Sequence, residues 1–144
     1  MKSLALVVLI AAAGFWYFQH DPDLIESHVE SRLATQSEVD RAFEERRSSV
    51  QVRGRGIVSR VLPDDNRGSR HQRFILDLAS GRTLLVAHNI DLAKRIAALE
   101  PGDTVEFFGE YEWNEKGGLI HWTHHDPESR HAGGWLKHEG KVYE

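Results

Sequence analysis

The sequence predicts a mainly β protein whose principal domain is a small five-stranded barrel, with one short helix between the third and fourth strands. Three observations support this prediction. The 144-residue chain opens with an apolar run, continues with an acidic segment of helical period, and changes to a period of two from Val50. We therefore expect a signal peptide or membrane anchor at 1–20, a helical stalk at 21–47, and the barrel with a histidine-rich C-terminal segment at 48–144.

The first segment indicates export from the cytoplasm. Leu4 to Phe18 contains no polar side chain, and Lys2 is the one charged residue ahead of it. This is the pattern of a secretory signal. The aromatic residues 15–18 that end the run suit a membrane–water interface, which favours an uncleaved anchor. We expect the protein in the bacterial cell envelope, on the periplasmic side, anchored to the inner membrane or secreted.

The next segment has helical spacing and a strong negative charge. Asp21 and Pro22 resemble a helix cap and first turn, and Ser37 with Asp40 resembles a capping box. Between Asp21 and Glu45 there are eight acids and two arginines, a net charge of −6. We expect a solvated helical stalk that carries no chemistry.

Alternation of apolar and polar residues predicts the strands that follow. Gly54 and Gly56 interrupt the first strand, and the apolar phase changes to Ile57 and Val61 after them, which predicts a β-bulge. The third strand is expected at Thr83–His88 and the fifth at Leu119–His124. The inward faces are predicted at Gln72, Phe74, Leu76 and Leu78 on the second strand, and at Val105, Phe107, Gly109, Tyr111 and Trp113 on the fourth.

A short helix is predicted between the third and fourth strands. Asn89 or Asp91 would cap it, and Pro101 with Gly102 would end it. The residues expected to face the core are Leu92, Ile96 and Leu99.

Three strands, a helix and two further strands, with a long bent first strand, resemble the OB-fold. The resemblance covers Ser48 to His125 and implies a partly open five-stranded barrel. A small sandwich and an SH3-like barrel are the structural alternatives.

Composition excludes several functional classes. The net charge of −4 and the pI of about 6.1 argue against a generally basic protein that coats nucleic acid. Cysteine is absent from the sequence, which excludes disulfides, thiolate metal sites and a cysteine nucleophile. Histidine is the enriched residue, with nine copies, of which seven lie at or after position 71.

The densest set of chemically capable residues follows the fourth strand. In an extended strand His121, Thr123 and His125 would share one face, and His124 and Asp126 the other. Imidazoles with a nearby carboxylate can hold zinc or another divalent transition metal and leave a coordination position open. The candidate metal ligands are His121, His124, His125, Asp126 and His131. Candidate ligand-binding residues beside them are Arg130, His88, Trp122 and His138.

Two other interpretations of these histidines stay open. They can pack and hydrogen-bond without any ligand, or they can transfer protons without a metal, since the pKa of histidine lies near neutrality. The spacing matches no named ligand signature such as HExxH.

A run of arginines covers the first three predicted strands. From Arg46 to Arg82 there are nine arginines and three aspartates, a net charge of +6. Arginine suits phosphate or carboxylate contacts, but Phe74 is the one aromatic residue on these strands and its phase places it in the core. Pairing with the acidic stalk or with the fourth strand is therefore favoured over nucleic-acid binding.

The C-terminal half resembles an uncharacterised bacterial family. The residues that carry the resemblance are Gly109–Asn114, Lys116–Gly118, the motif His121-Trp122-Thr123-His124-His125-Asp126-Pro127, and Arg130 through Leu136. The similarity covers Val50 to Tyr143. The family is a domain of unknown function, so the resemblance implies kinship without an activity.

Together these features predict an envelope protein whose OB-like domain binds a transition metal or a small anion through the C-terminal histidines. The alternatives are a metal-dependent phosphoester hydrolase of nuclease type, and a structural or regulatory envelope partner without a ligand. A binding role is favoured over an enzyme. The expected partners are the membrane, through the N-terminal helix, and the metal or anion.

Export is testable with a reporter enzyme that is active only in the periplasm. A fusion of the reporter to the full chain should be active, because Lys2 is retained in the cytoplasm and the rest is translocated. A matched fusion that lacks residues 1–20 should be inactive. Equal activity of the two fusions would contradict export by this segment.

Overall fold

The computed structural model describes residues 38–144, which are mainly β, with seven strands and one short helix. The helix, α1, covers 38–44. The strands are β1 (Val50–Asp65), β2 (His71–Asp77), β3 (Thr83–Asn89), β4 (Thr104–Glu112), β5 (Leu119–His121), β6 (Trp135–His138) and β7 (Lys141–Tyr143). The predicted apolar helix Leu4–Phe18 and most of the predicted stalk lie outside the described residues. Within 38–144, no helix combines the length and the apolar character that crossing a bilayer requires.

The strand pairings form a ring. The first half of β1, from Val50 to Ile57, pairs with β4, and its second half pairs with β2. β2 pairs with β3, β3 pairs in parallel with β5, and β5 pairs with β4, which returns the order to β1. β4 therefore has a hydrogen-bonded strand along both of its edges.

The tail adds two strands to the five that the sequence predicts. β6 pairs with Val105–Phe108, on the edge of β4 whose other end pairs with β5. β7 pairs with β6. Both residues of their turn, Glu139 and Gly140, have positive φ, as a two-residue hairpin requires. The sequence prediction missed these two strands, although Leu136 and His138 are buried at alternate positions of β6.

The glycines of β1 are required for packing, and the bulge predicted at them is wrong. A Cβ on Gly54 would lie 2.5 Å from the Phe107 ring, and one on Gly56 would lie 2.9 Å from Leu76 Cβ. The β1–β4 register runs through both glycines without a shift, and the first irregularity in the β1–β2 pairing comes after Val58. The inward phase therefore continues to Val58, and Ile57 is 45% exposed.

Alternate residues of the central strands form the core as predicted. Gln72 on β2 is fully buried together with its apolar neighbours on the same face. The other face of β4 carries the half-buried glutamates. The largest fully buried side chains of the described part include Tyr111, Phe74, Phe107, Leu76, Leu84, Ile120 and Leu136.

The connection between β3 and β4 contains turns and no helix in the described residues 90–103, so the predicted helix is wrong. Its backbone groups bond to buried side chains of the sheet. The Gln72 amide donates to the Ile96 carbonyl and accepts from the Ile96 amide, both at 2.9 Å. Because these groups are bonded to Gln72, they are not available to a helical ladder. Ile96 and Leu99 are buried as predicted, whereas Leu92 is exposed.

Helix α1 packs on the strands. Val39 and Ala42 are fully buried in the core, and Asp40 accepts hydrogen bonds from Ser80 at 2.9 Å and from Arg82 at 3.0 Å. The expected pairing of the arginine run with the acidic segment therefore occurs at Arg82. This part of the acidic segment shares the core of the β domain.

Replacing Gln72 by leucine tests the link between the sheet and the β3–β4 connection. Gln72→Leu leaves the buried amide and carbonyl of Ile96 without partners, so we expect the free energy of unfolding to fall by about 2–4 kcal/mol. Urea denaturation measures it. The exposed-turn control Asn66→Leu should change it by less than about 0.5 kcal/mol, and an equally small change in Gln72→Leu would contradict the assignment.

Candidate functional site

The histidine segment leaves the sheet earlier than its sequence predicts. β5 ends at His121, and Trp122 has a φ of 50°, which turns the chain out of the strand. The predicted alternation of faces after His121 is therefore wrong. Thr123 and His124 are both buried, although they are neighbours, while His125 is exposed. Residues 122–134, here called the histidine loop, connect β5 to β6. Both of these strands pair with the same edge of β4.

Asp126 holds the histidine loop in shape. Its carboxylate accepts backbone hydrogen bonds from Glu128 at 3.0 Å and from Arg130 and His131 at 2.8 Å each. The His131 amide, and then the Arg130 amide, hold the pKa of this carboxyl below its ordinary value, against the opposing effect of burial. Both Asp126 oxygens accept hydrogen bonds from backbone amides of the histidine loop, so Asp126 organises the loop. It does not belong to the group of metal-capable side chains described below.

His131 returns the loop to the sheet. Its Nε2 lies 2.7 Å from Glu110 Oε2 and its Nδ1 lies 2.7 Å from the Ala132 carbonyl, while its ring stacks on Trp122 at 3.9 Å. Two acceptors on the two nitrogens are the pattern of a protonated ring. Burial acts to lower the pKa of His131, but the hydrogen bonds to Glu110 and Ala132 and the nearby acids outweigh it, so the pKa is raised.

Glu110, Glu112 and His121 form the closest group of metal-capable atoms in the described part of the chain. One ligand atom from each lies within 4.8 Å of the others, and all three residues are half-buried. His121 Nε2 is 3.3 Å from Glu110 Oε1 and 3.7 Å from Glu112 Oε1. We call this group, with His131 on the other oxygen of Glu110, the Glu-His cluster.

Within the described residues, one polar atom in the cluster and one beside it lack a hydrogen-bond partner. Gln51, Glu110 and His121 are register partners across β1, β4 and β5. Among residues 38–144, Gln51 Oε1 and His121 Nε2 are buried and have no hydrogen-bond partner. His121 is close to the carboxylates but is not aligned for a hydrogen bond to either. Buried polar atoms without partners are uncommon and often mark a missing ion or water.

Glu112 is ionised under ordinary conditions. Burial acts to raise its pKa, but the hydroxyls of Ser48 and Ser49 and the charge of His121 lower it below the ordinary value. Ser49 Oγ donates to Glu112 Oε1 at 3.1 Å. The cluster therefore presents negative charge to His121.

The structure brings two of the five candidate metal ligands, His121 and His131, into the cluster. His124 donates from Nδ1 to the His125 carbonyl at 2.8 Å, and its ring lies 5.3 Å from that of Trp122. His125 is exposed. Neither side chain belongs to the group that Glu110, Glu112 and His121 form.

The other ligand-binding candidates lie apart from the cluster, except Trp122. Arg130 is exposed and pairs with Glu128. His138, on β6, donates to Asp103 at 2.9 Å. His88 is buried inside the domain, where its Nε2 donates to the Lys94 carbonyl at 3.2 Å and its Nδ1 accepts from the Thr123 hydroxyl at 2.8 Å.

The sequence analysis assigned no chemistry to Glu110 and Glu112. Their i, i+2 spacing was a signal, because it puts two carboxylates on one face. The missing information was the β4–β5 register, which places His121 opposite Glu110.

The family described as Protein of unknown function (DUF3465) matches residues 24–144. The chain belongs to this family. The match begins well before Val50, where the sequence resemblance begins, and it includes the whole Glu-His cluster. No curated protein matches the chain. The family description carries no activity, so function has to be argued from the geometry.

The pH dependence of stability tests the state of His88. Burial lowers the pKa of His88 from 6.5 to about 4. Between these values the unfolded chain binds a proton that the folded chain does not, so the stability that neutral His88 contributes is lost as the pH falls from about 6.5 to about 4, by up to about 3 kcal/mol.

The measurement is the unfolding free energy of the wild type and of His88→Gln across this pH range. The difference between the two should shrink as the pH falls, because the variant lacks the titrating ring. Nuclear magnetic resonance should also show a neutral His88 ring at about pH 5.5. A His88 titration midpoint near the ordinary value would contradict the assignment.

Proposed function

We propose that this protein binds a divalent transition metal ion at Glu110, Glu112 and His121, with His131 as a further ligand. The observation that carries the proposal is the buried, unpartnered His121 Nε2 beside two carboxylates in the described part of the chain. The proposal retains the metal expected from the sequence but changes its ligands, from a cluster of histidines to two glutamates with histidines.

The separations of the ligand atoms suit one ion. Two ligands at about 2.1 Å from a tetrahedral centre lie about 3.4 Å apart. His121 Nε2 lies 3.3 Å and 3.7 Å from the two glutamate oxygens. Carboxylate oxygen with imidazole nitrogen suits zinc, manganese or iron rather than a soft thiolate-preferring ion.

His131 is oriented as metal-binding histidines are. Its Nδ1 donates to the Ala132 carbonyl and its Nε2 faces Glu110. A backbone carbonyl on the second nitrogen is a common way to fix the ring of a ligating histidine. Binding of the ion through Nε2 would release the proton that His131 now shares with Glu110, so affinity should fall in acid.

The proposed location is the cell envelope, with residues 1–20 as signal peptide or membrane anchor and the acidic residues from 21 up to the start of α1 as a stalk. The apolar run from Leu4 to Phe18 supports it. We also propose that the ring β1-β2-β3-β5-β4 is an OB-type barrel. The closed order of pairings supports this, although turns replace the expected helix between β3 and β4.

Hydrolysis of phosphoesters is a second candidate function. It is favoured by Arg53, whose guanidinium lies over the Phe108 ring at 5.2 Å on the strands that carry Gln51 and Glu110. A metal with an open position lowers the pKa of bound water and polarises the ester, and an arginine nearby stabilises the developing charge.

Metal content and metal titration of the tag-free full chain test the proposal. We expect about one ion per chain, measured by elemental analysis, and a rise in melting temperature when Zn²⁺ or Mn²⁺ is added to metal-free protein. Glu110→Gln and His121→Asn should each weaken binding by more than about 100-fold in calorimetric titration.

Two matched controls make the same two substitutions, Glu to Gln and His to Asn, at residues outside the cluster. Glu106→Gln is on the same face of β4, and His125→Asn is in the histidine loop; both should bind within about threefold of the wild type. Metal below about a tenth of an ion per chain, with no shift in melting temperature, would contradict the proposal and favour a purely structural role for these residues.

A further inference from the structure

A groove lies on the outer side of β1, β2 and β3, beside the turn between β4 and β5. Its volume is about 380 Å³, and it shares no residue with the Glu-His cluster. This volume is within the range of small-molecule sites.

The floor of the groove is apolar. Ile75 and Leu85 line it, and they are direct register partners on β2 and β3. Leu85 is also paired with Leu119 on β5, so an apolar row crosses three strands on the side away from the core. All three residues are half-buried, which leaves part of their apolar surface accessible to a ligand.

The rim of the groove is cationic. Arg60 and Lys116 line it, and none of its lining residues is acidic. Within residues 38–144, neither side chain has an ion pair or hydrogen bond, whereas Arg82 and Arg95 are paired with aspartates at 3.0 and 2.9 Å. Two cations that no acid of residues 38–144 pairs with, above an apolar floor, complement an anion that carries an apolar body.

The turn that carries Lys116 is fixed in place. The Tyr111 hydroxyl donates to the Gly117 carbonyl at 3.1 Å, and the Thr83 hydroxyl donates to the Lys116 carbonyl at 3.1 Å. A Cβ on Gly117 would overlap the Thr83 carbonyl, so the turn lies directly against β3. The backbone from which the Lys116 side chain extends is therefore held beside the floor, which reduces the part of the ordering cost that comes from the turn.

We propose that this groove binds a small organic oxyanion, with its carboxylate or phosphate head on Arg60 and Lys116 and its apolar body on Ile75 and Leu85. A guanidinium suits either head, because it offers two parallel donors to an oxyanion. The site is independent of metal binding.

Calorimetric titration of the full chain with four probes separates head from body. Octanoate and octyl phosphate should bind, and the tighter of the two identifies the preferred head. Octylamine and inorganic phosphate should bind at least about tenfold more weakly, because each lacks one of the two complementary parts. Equal binding of octylamine and octanoate, or binding of neither anionic amphiphile, would overturn the proposal.

Charge-matched variants locate the site. Arg60→Gln with Lys116→Gln should weaken octanoate binding by at least about tenfold. Arg67→Gln with Lys94→Gln removes the same charge from exposed residues outside the groove and should leave it within about twofold. Equal loss in both double variants would overturn the proposal, since it would indicate attraction to net charge alone. Zn²⁺ titration of the groove variant should match the wild type, which separates this test from that of the metal site.

Discussion

The two hydrogen-bonded edges of β4 are the constraint on which the rest of the structure depends. β1 occupies one edge over eight residue pairs, and β5 and then β6 occupy the other. Because the outer face of β4 carries Glu106, Phe108, Glu110 and Glu112, every neighbouring strand adds its outward side chains to that row. Gln51 and His121 reach Glu110 in this way. The Glu-His cluster is thus a consequence of strand register, not of a local sequence motif.

The histidine loop completes the cluster because its two ends are held on the same edge of β4. Asp126 satisfies three backbone amides of the loop, and the Gly134 amide bonds to the His124 carbonyl at 3.0 Å. A carboxylate with several amide donors is a strong loop organiser. This leaves His131 facing Glu110 on a supported backbone, an arrangement that suits a ligand whose ring orientation is fixed before the ion arrives.

Much of the fold could be predicted from the period-two pattern, since burial of one face is the main determinant of strand phase. The inward faces of β2 and β4 were predictable for this reason. Gly54 and Gly56 were misleading, because glycine serves both a β-bulge and a close approach of side chains. Only the positions of Phe107 and Leu76 in the folded domain distinguish the two. Likewise Leu92, Ile96 and Leu99 have helical spacing, but Gln72 takes the backbone groups of Ile96 that a helix would use.

The sequence by itself determined the β class of the domain, the buried faces of its main strands and the concentration of metal-capable residues near its end. These properties depend on local alternation and residue type. Tertiary structure alone decided which of those residues meet. Trp122 leaves the strand conformation, so the run of histidines does not stay on two faces, and Glu110 becomes the common partner of His121 and His131. The register of β4 and β5 depends on the geometry of the turn between them, and the return of His131 depends on the path of the histidine loop; residue type and alternation alone fix neither.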